Sequence, residues 1–102
     1  MRGKVKYVEW RRLSYEGMSS GMHHTGIFGY ESDVYAVTYP DQDGDVYSIN
    51  ITDEAKEYED QQRITNRMVN KINNELHNVW VNFYYDEYSG EYCLDGDLND
   101  YI

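Results

Sequence analysis

Apolar positions along the chain follow two different periods. Residues 4–13 (KVKYVEWRRL) are rich in β-branched and aromatic side chains and predict a strand. The alternation is broken, with Val5 and Tyr7 on one face and Val8 and Trp10 on the other. That fits either a bulged strand or one covered on both sides. Residues 14–26 hold Gly17, Gly21, Gly26 and Ser19-Ser20, which predict a loop, with a short strand following at Ile27–Tyr30. The cleanest period of two lies in 33–39 (DVYAVTY) and 45–51 (DVYSINI). Pro40-Asp41-Gln42-Asp43-Gly44 between them is turn chemistry, so the pair predicts a hairpin.

The period then lengthens to four. No Gly or Pro occurs between Thr52 and His77, and Ile64, Met68, Ile72 and Leu76 form an amphipathic stripe. Thr52 fits an N-cap, with Asp53 and Glu54 in a dipole-favoured first turn. One helix of roughly 35 Å is expected. Glu59, Arg63, Arg67, Lys71 and Glu75 run beside the stripe at the spacing of ion pairs within a helix. Alternation returns at 79–85, with Val79, Val81, Phe83 and Tyr85 on one face and Trp80, Asn82 and Tyr84 on the other. A turn over 86–90, a returning strand at 91–94 and an acidic tail from Asp95 complete the chain.

These elements predict one α+β domain over residues 1–102. Its expected form is an antiparallel sheet of four to six strands with one long amphipathic helix on one face, ordered β-β-β-β-α-β-β. The 102-residue length suits a single core.

Charge changes the picture more than length does. The chain carries 19 acidic and 9 basic side chains, a formal net charge of −10. Residues 1–12 are basic, with Arg2, Lys4, Lys6, Arg11 and Arg12 against Glu9. Residues 31–60 hold ten acids and only Lys56, and the 21 residues from Asn82 hold six acids and no base. Such a surface repels phosphates, so duplex binding is not expected. No apolar run reaches the ~18 residues of a membrane span, and the 16% aromatic content argues against disorder. Cys93 is the only cysteine, which precludes an internal disulfide. No apolar stretch of leader type follows Met1–Lys6, so the expected location is cytoplasmic, the host cytoplasm if phage-encoded.

Few residues point to chemistry. Asp41, Asp43 and Asp45 lack the glycine and glutamate positions of a calcium loop, as do Asp95, Asp97 and Asn99. His23-His24 has no spaced partner of zinc-site type. Gly21–Gly26 lacks the Lys and Ser/Thr of a phosphate loop. Nothing local marks Cys93 as a nucleophile. No enzyme activity, cofactor or metal is therefore expected.

The informative constellation is acid beside tyrosine, and 12 of the 16 aromatic residues are Tyr. Candidate contact residues are Glu31, Asp33, Asp41, Asp43 and Asp45 around the hairpin, and Asp53, Glu54, Glu57, Glu59 and Asp60 at the helix start. Tyr84, Asp86, Glu87, Tyr88, Glu91, Asp95, Asp97 and Asp100 follow in the last segment. Tyr suits interfaces while acids are normally depleted there, so a surface carrying both suits a strongly basic partner. Carboxylates two apart on a strand lie ~6.7 Å apart, a spacing similar to that of phosphates along a nucleic-acid strand. In composition, though not in motif, the chain is similar to many phage-encoded inhibitors. The expected function is a non-enzymatic acidic inhibitor or DNA mimic, acting as a phage counter-defence protein. Its partner would be a basic nucleic-acid-binding protein (restriction enzyme, CRISPR effector or nucleoid protein). It would bind no nucleic acid or membrane directly, as monomer or homodimer. The alternative is a general protein-interaction module without mimicry, read through Tyr and the 14–26 loop.

Overall fold

A computed structural model describes residues 1–14, 30–40 and 45–102, with backbone alone at 12–14, 30–32 and 40. The elements are β1 (Arg2–Ser14), β2 (Tyr30–Pro40), β3 (Tyr47–Asn50), α1 (Thr52–Glu59), α2 (Asn66–Leu76), β4 (Trp80–Asp86) and β5 (Glu91–Leu94). A 3-10 turn at Leu98–Asp100 follows. The class is α+β. The strand expected at Ile27–Tyr30 lies outside the described residues except for Tyr30, which opens β2.

The strands close into a barrel in the order β1-β2-β3-β5-β4, with β4 returning to β1. This corrects the expected antiparallel sheet with a helix on one face. β1 and β4 pair antiparallel at Arg2–Asn82, Gly3–Val81 and Lys4–Trp80, while β3 and β5 pair parallel at Ile49–Tyr92 and Asn50–Cys93. A parallel pair needs a long crossover, and the helices with β4 supply it. In this order both helices lie between β3 and β4.

The irregular alternation of β1 is a bulge. Its register against β2 shifts between Val5 and Tyr7. A one-residue shift exchanges the two faces, so Val5 and Val8 both become buried while Tyr7 stays exposed. The predicted hairpin is present, with Tyr35 opposite Asn50 and Thr38 opposite Tyr47.

The single long helix is corrected to two. α1 stops in a Schellman motif, with Asp60 left-handed at φ 53°, its N–H on the Glu57 carbonyl, and the Gln61 N–H on the Lys56 carbonyl. α2 restarts at Thr65, whose hydroxyl accepts the Met68 N–H at 3.2 Å. Ile64, just outside this cap, packs against the core that holds Val69. That is the hydrophobic-staple position, and it carries the period of four across the break. Thr52 is not a side-chain cap. It is the first residue of α1, and its hydroxyl donates to Asn50 Oδ1 at 2.6 Å and accepts the Val34 N–H at 3.0 Å.

Met68, Ile72 and Leu76 are buried on one side of α2, as the stripe implies. Val69, Ile72 and Leu76 join Val5, Val8, Val34, Ile49, Val81, Phe83 and Leu94 in one core. The Val8 N–H donates to Asn73 Oδ1 at 2.7 Å and ties α2 to the strand just past its bulge. The break also changes the ion pairs. Lys71 pairs with Glu59 of α1 at 2.9 Å, and Glu75 accepts the Tyr58 hydroxyl at 2.6 Å, in place of pairs within one helix.

Candidate interaction face on the barrel

Barrel register places one outer residue from each strand in a continuous row. Glu9 faces Tyr35, Tyr35 faces Asn50, Asn50 faces Cys93, and Cys93 faces Tyr84. The inward neighbours Ile49, Phe83 and Leu94 are buried in the core.

Arg11 closes the β1 end. Its guanidinium pairs with Glu9, donates to the Ser48 hydroxyl at 2.8 Å and lies 4.2 Å above the Tyr35 ring. Tyr35 donates its hydroxyl to Glu91 at 2.5 Å, and Asn50 Nδ2 donates to the same carboxylate at 2.7 Å. Asp33 Oδ2 lies 3.5 Å from the Tyr35 hydroxyl and 3.4 Å from Asn50 Nδ2. Two carboxylates from β2 and β5 are thus held side by side. Burial, then the Glu91 hydrogen bond and charge, push the Tyr35 phenol well above its ordinary value.

Beside this network, Asp33, Asn50, Thr52, Asp53, Glu54, Lys56, Asp86, Ser89, Glu91 and Cys93 line a cleft of about 490 Å³. Five carboxylates face one lysine. Asp86 is fixed by the Ser89 hydroxyl at 3.0 Å and the Tyr88 N–H at 3.1 Å. Desolvation raises the Glu54 carboxyl above its usual range, and the charges of Asp53, Glu57 and Asp97 add to it. The Cys93 thiol is likewise pushed up, first by burial and then by Asp86, Glu54 and Glu91, against a lowering hydrogen bond from Ser89. Its environment is the opposite of the electropositive site that makes a thiolate. The Tyr84 phenol is raised, first by Cys93, then by burial and by Asp86, Glu54 and Asp95.

The sequence candidates divide by position. Asp33, Asp53, Glu54, Asp86 and Glu91 converge on the cleft, and Tyr84 stands on the outer face of β4 beside it. Glu57 and Asp60 line a second depression of about 560 Å³, with Asp53, Lys56, Gln61 and Gln62. Asp45, Glu87, Tyr88 and Asp95 are exposed. Glu59 is engaged by Lys71, and Asp97 and Asp100 form the capping box of the 3-10 turn. Asp41 and Asp43 lie outside the described residues, as does the side chain of Glu31. So do the 15–26 part of the loop, His23 and His24.

Arg11, Tyr35, Asn50, Lys56 and Cys93 were not among the sequence candidates. Asn50, Lys56 and Cys93 reach the cleft through barrel closure, which no local pattern signals. Among the described residues, no group of three or more His, Cys, Asp or Glu side chains is arranged to hold a metal ion. No helix among them is long and apolar enough to cross a membrane. No protein-family model, curated protein or solved structure matches this chain.

Proposed function

We propose that this chain is a non-enzymatic acidic protein that occupies the nucleic-acid groove of a basic partner, of the restriction-enzyme, CRISPR-effector or nucleoid-protein kind, as a phage counter-defence protein does. The carrying observation is the cleft, where Asp33, Asp53, Glu54, Asp86 and Glu91 from β2, α1, β4 and β5 meet a single lysine. Scattered acids are solvating surface, but Asp33, Asp86 and Glu91 sit on strands of a closed barrel, and hydrogen bonds hold all three. Such preorganisation lowers the ordering cost of binding.

Spacing supports the same reading. Asp86 and Glu91 are directly paired across β4 and β5, and neighbouring strands lie ~4.8 Å apart. A carboxylate pair at that spacing is of the scale of neighbouring phosphates along a nucleic-acid strand. The strand order is like that of five-stranded barrels of the OB type, whose β2–β3 face and β1–β2 and β4–β5 loops commonly receive nucleic acid. Here Asp33 stands on β2 and Glu91 opens β5 just after the β4–β5 turn, so the charge suits a cationic ligand. Fold alone does not establish function, and the weight rests on the side chains. The upward push that burial and neighbouring carboxylates give the Cys93 thiol favours binding over covalent chemistry.

The test is affinity capture with the tagged chain from lysate of a defence-equipped bacterial strain, at low and moderate salt. Salt-sensitive retention of one DNA- or RNA-binding protein, displaced by added duplex or guide RNA, is the expected result. A specific partner indifferent to both salt and nucleic acid would instead mark a general interaction module.

A further inference from the structure

Two exposed rings flank the acidic cleft. Tyr84 is 50% exposed on the outer face of β4, and Tyr88, in the turn to β5, is fully exposed. Asp86 stands between them. It follows Tyr84 by two residues on the same strand face, ~6.7 Å along, and its carboxylate accepts the Tyr88 N–H. Glu54 and Asp95 also lie within electrostatic reach of Tyr84.

The chain shows that this combination accepts a cation: Lys6 lies 5.8 Å from the Tyr39 ring and Lys71, paired with Glu59, lies 5.6 Å from the Tyr58 ring, while its arginines seat closer. At the other end of the same cross-strand row, Tyr35 is covered by the Arg11 guanidinium at 4.2 Å, with Glu9 on the guanidinium and Glu91 on the phenol. The Arg2 guanidinium also lies over a ring, 4.7 Å from that of Trp80. Tyr84 and Tyr88 have the aromatic face and the carboxylate, but among the described residues no cation covers either ring. No Lys or Arg occurs from Asn82 onward.

We propose that the β4–β5 hairpin takes arginine side chains of the partner protein, each guanidinium stacked on Tyr84 or Tyr88 and paired with Asp86 or a neighbouring carboxylate. The proposal rests on the reading of the acidic face above and names the partner's chemistry as arginine-rich. Arginine fits better than lysine because its planar group stacks on a ring and bonds a carboxylate through two donors at once. Lysine offers only a point charge.

The test uses two nine-residue peptides, all-arginine and all-lysine, titrated against the full chain at physiological salt. The arginine peptide is expected to bind about tenfold tighter. A Tyr84→Leu/Tyr88→Leu variant keeps every charge and removes both rings, and its preference is expected to fall towards unity while residual binding stays salt-sensitive. Circular dichroism checks its fold, and Tyr88→Leu alone, at a fully exposed site, serves as the second variant with a partial loss. Equal binding of the two peptides overturns the arginine proposal and leaves the acidic-face reading standing. So does a preference that survives in both variants. Failure of both peptides to bind overturns the two together.

Discussion

Tyr35 of β2 reaches across β3 to donate its hydroxyl to Glu91 of β5 at 2.5 Å. The two strands are not neighbours, so this bond joins barrel positions that no ladder connects. Asn50 of the intervening strand donates to the same carboxylate at 2.7 Å.

Tyr35→Phe removes the hydroxyl and leaves Glu91 with one donor from this network. Hydrogen bonds to charged groups contribute about 1.5–3 kcal/mol, and a loss in that range is expected from urea denaturation at pH 7. The same variant should bind a basic peptide less tightly if a fixed Glu91 matters to the face.

Alkaline pH probes the same bond. The folded protein holds the Tyr35 proton more tightly than the unfolded chain does. That stability is fully present below the ordinary tyrosine value of about 10 and is lost as pH rises through the raised folded value. Stability should therefore fall from about pH 10 upward, and Tyr35→Phe should fall less steeply over that window.

Glu54 carries the opposite consequence at neutral pH. Its carboxyl is raised by burial and by Asp53, Glu57 and Asp97. The stability linked to its proton is present below the unfolded value of about 4.3 and is gone above the folded one. Glu54→Gln should raise the urea midpoint at pH 7 and leave it nearly unchanged at pH 3.5. Weaker capture of a basic partner by this more stable variant would mark a trade of stability for binding.

The barrel seam depends on Gly3. A Cβ there would clash with Thr38 Cγ2 and lie 3.2 Å from the Tyr39 carbonyl oxygen and 3.3 Å from Phe83 Cε1. Gly3→Ala should destabilise by about 1–3 kcal/mol through overpacking, measured by thermal or urea unfolding.

The left-handed Asp60 ends α1. A non-glycine residue in that conformation costs about 1–2 kcal/mol. Asp60→Gly should thus stabilise the protein by up to about 1 kcal/mol, less the entropy of the added glycine, again read from denaturation midpoints.

Local patterns in the sequence carried most of the elements. The alternation at Tyr35–Tyr39 and Tyr47–Ile51 marked the hairpin, and the Met68–Leu76 stripe marked the buried side of α2. The break at Asp60 was hidden because the usual glycine signal is missing and because Ile64, outside the Thr65 cap, continues the period. Barrel closure was hidden for a different reason. The β1–β4 seam and the parallel β3–β5 pair join residues far apart in sequence, and no local period encodes them. The site was legible in residue type but not in place. Asp33, Asp53, Glu54, Asp86 and Glu91 were visible as acids, yet only closure gathers them. The pairing of Asp97 with Asp100 had a signal in their spacing of three, which is that of a capping box.

The central claim is that the carboxylates of the cleft stand in for nucleic acid. Its most direct test compares the wild-type chain with an Asp53→Lys/Glu54→Lys/Asp86→Lys variant, both checked for fold by circular dichroism. Each is used for capture from the same defence-equipped lysate, with and without added duplex or guide RNA. The account predicts a nucleic-acid-binding partner on the wild type alone, released by the nucleic acid. The same partner retained by the folded variant, or undisturbed by nucleic acid, would contradict it.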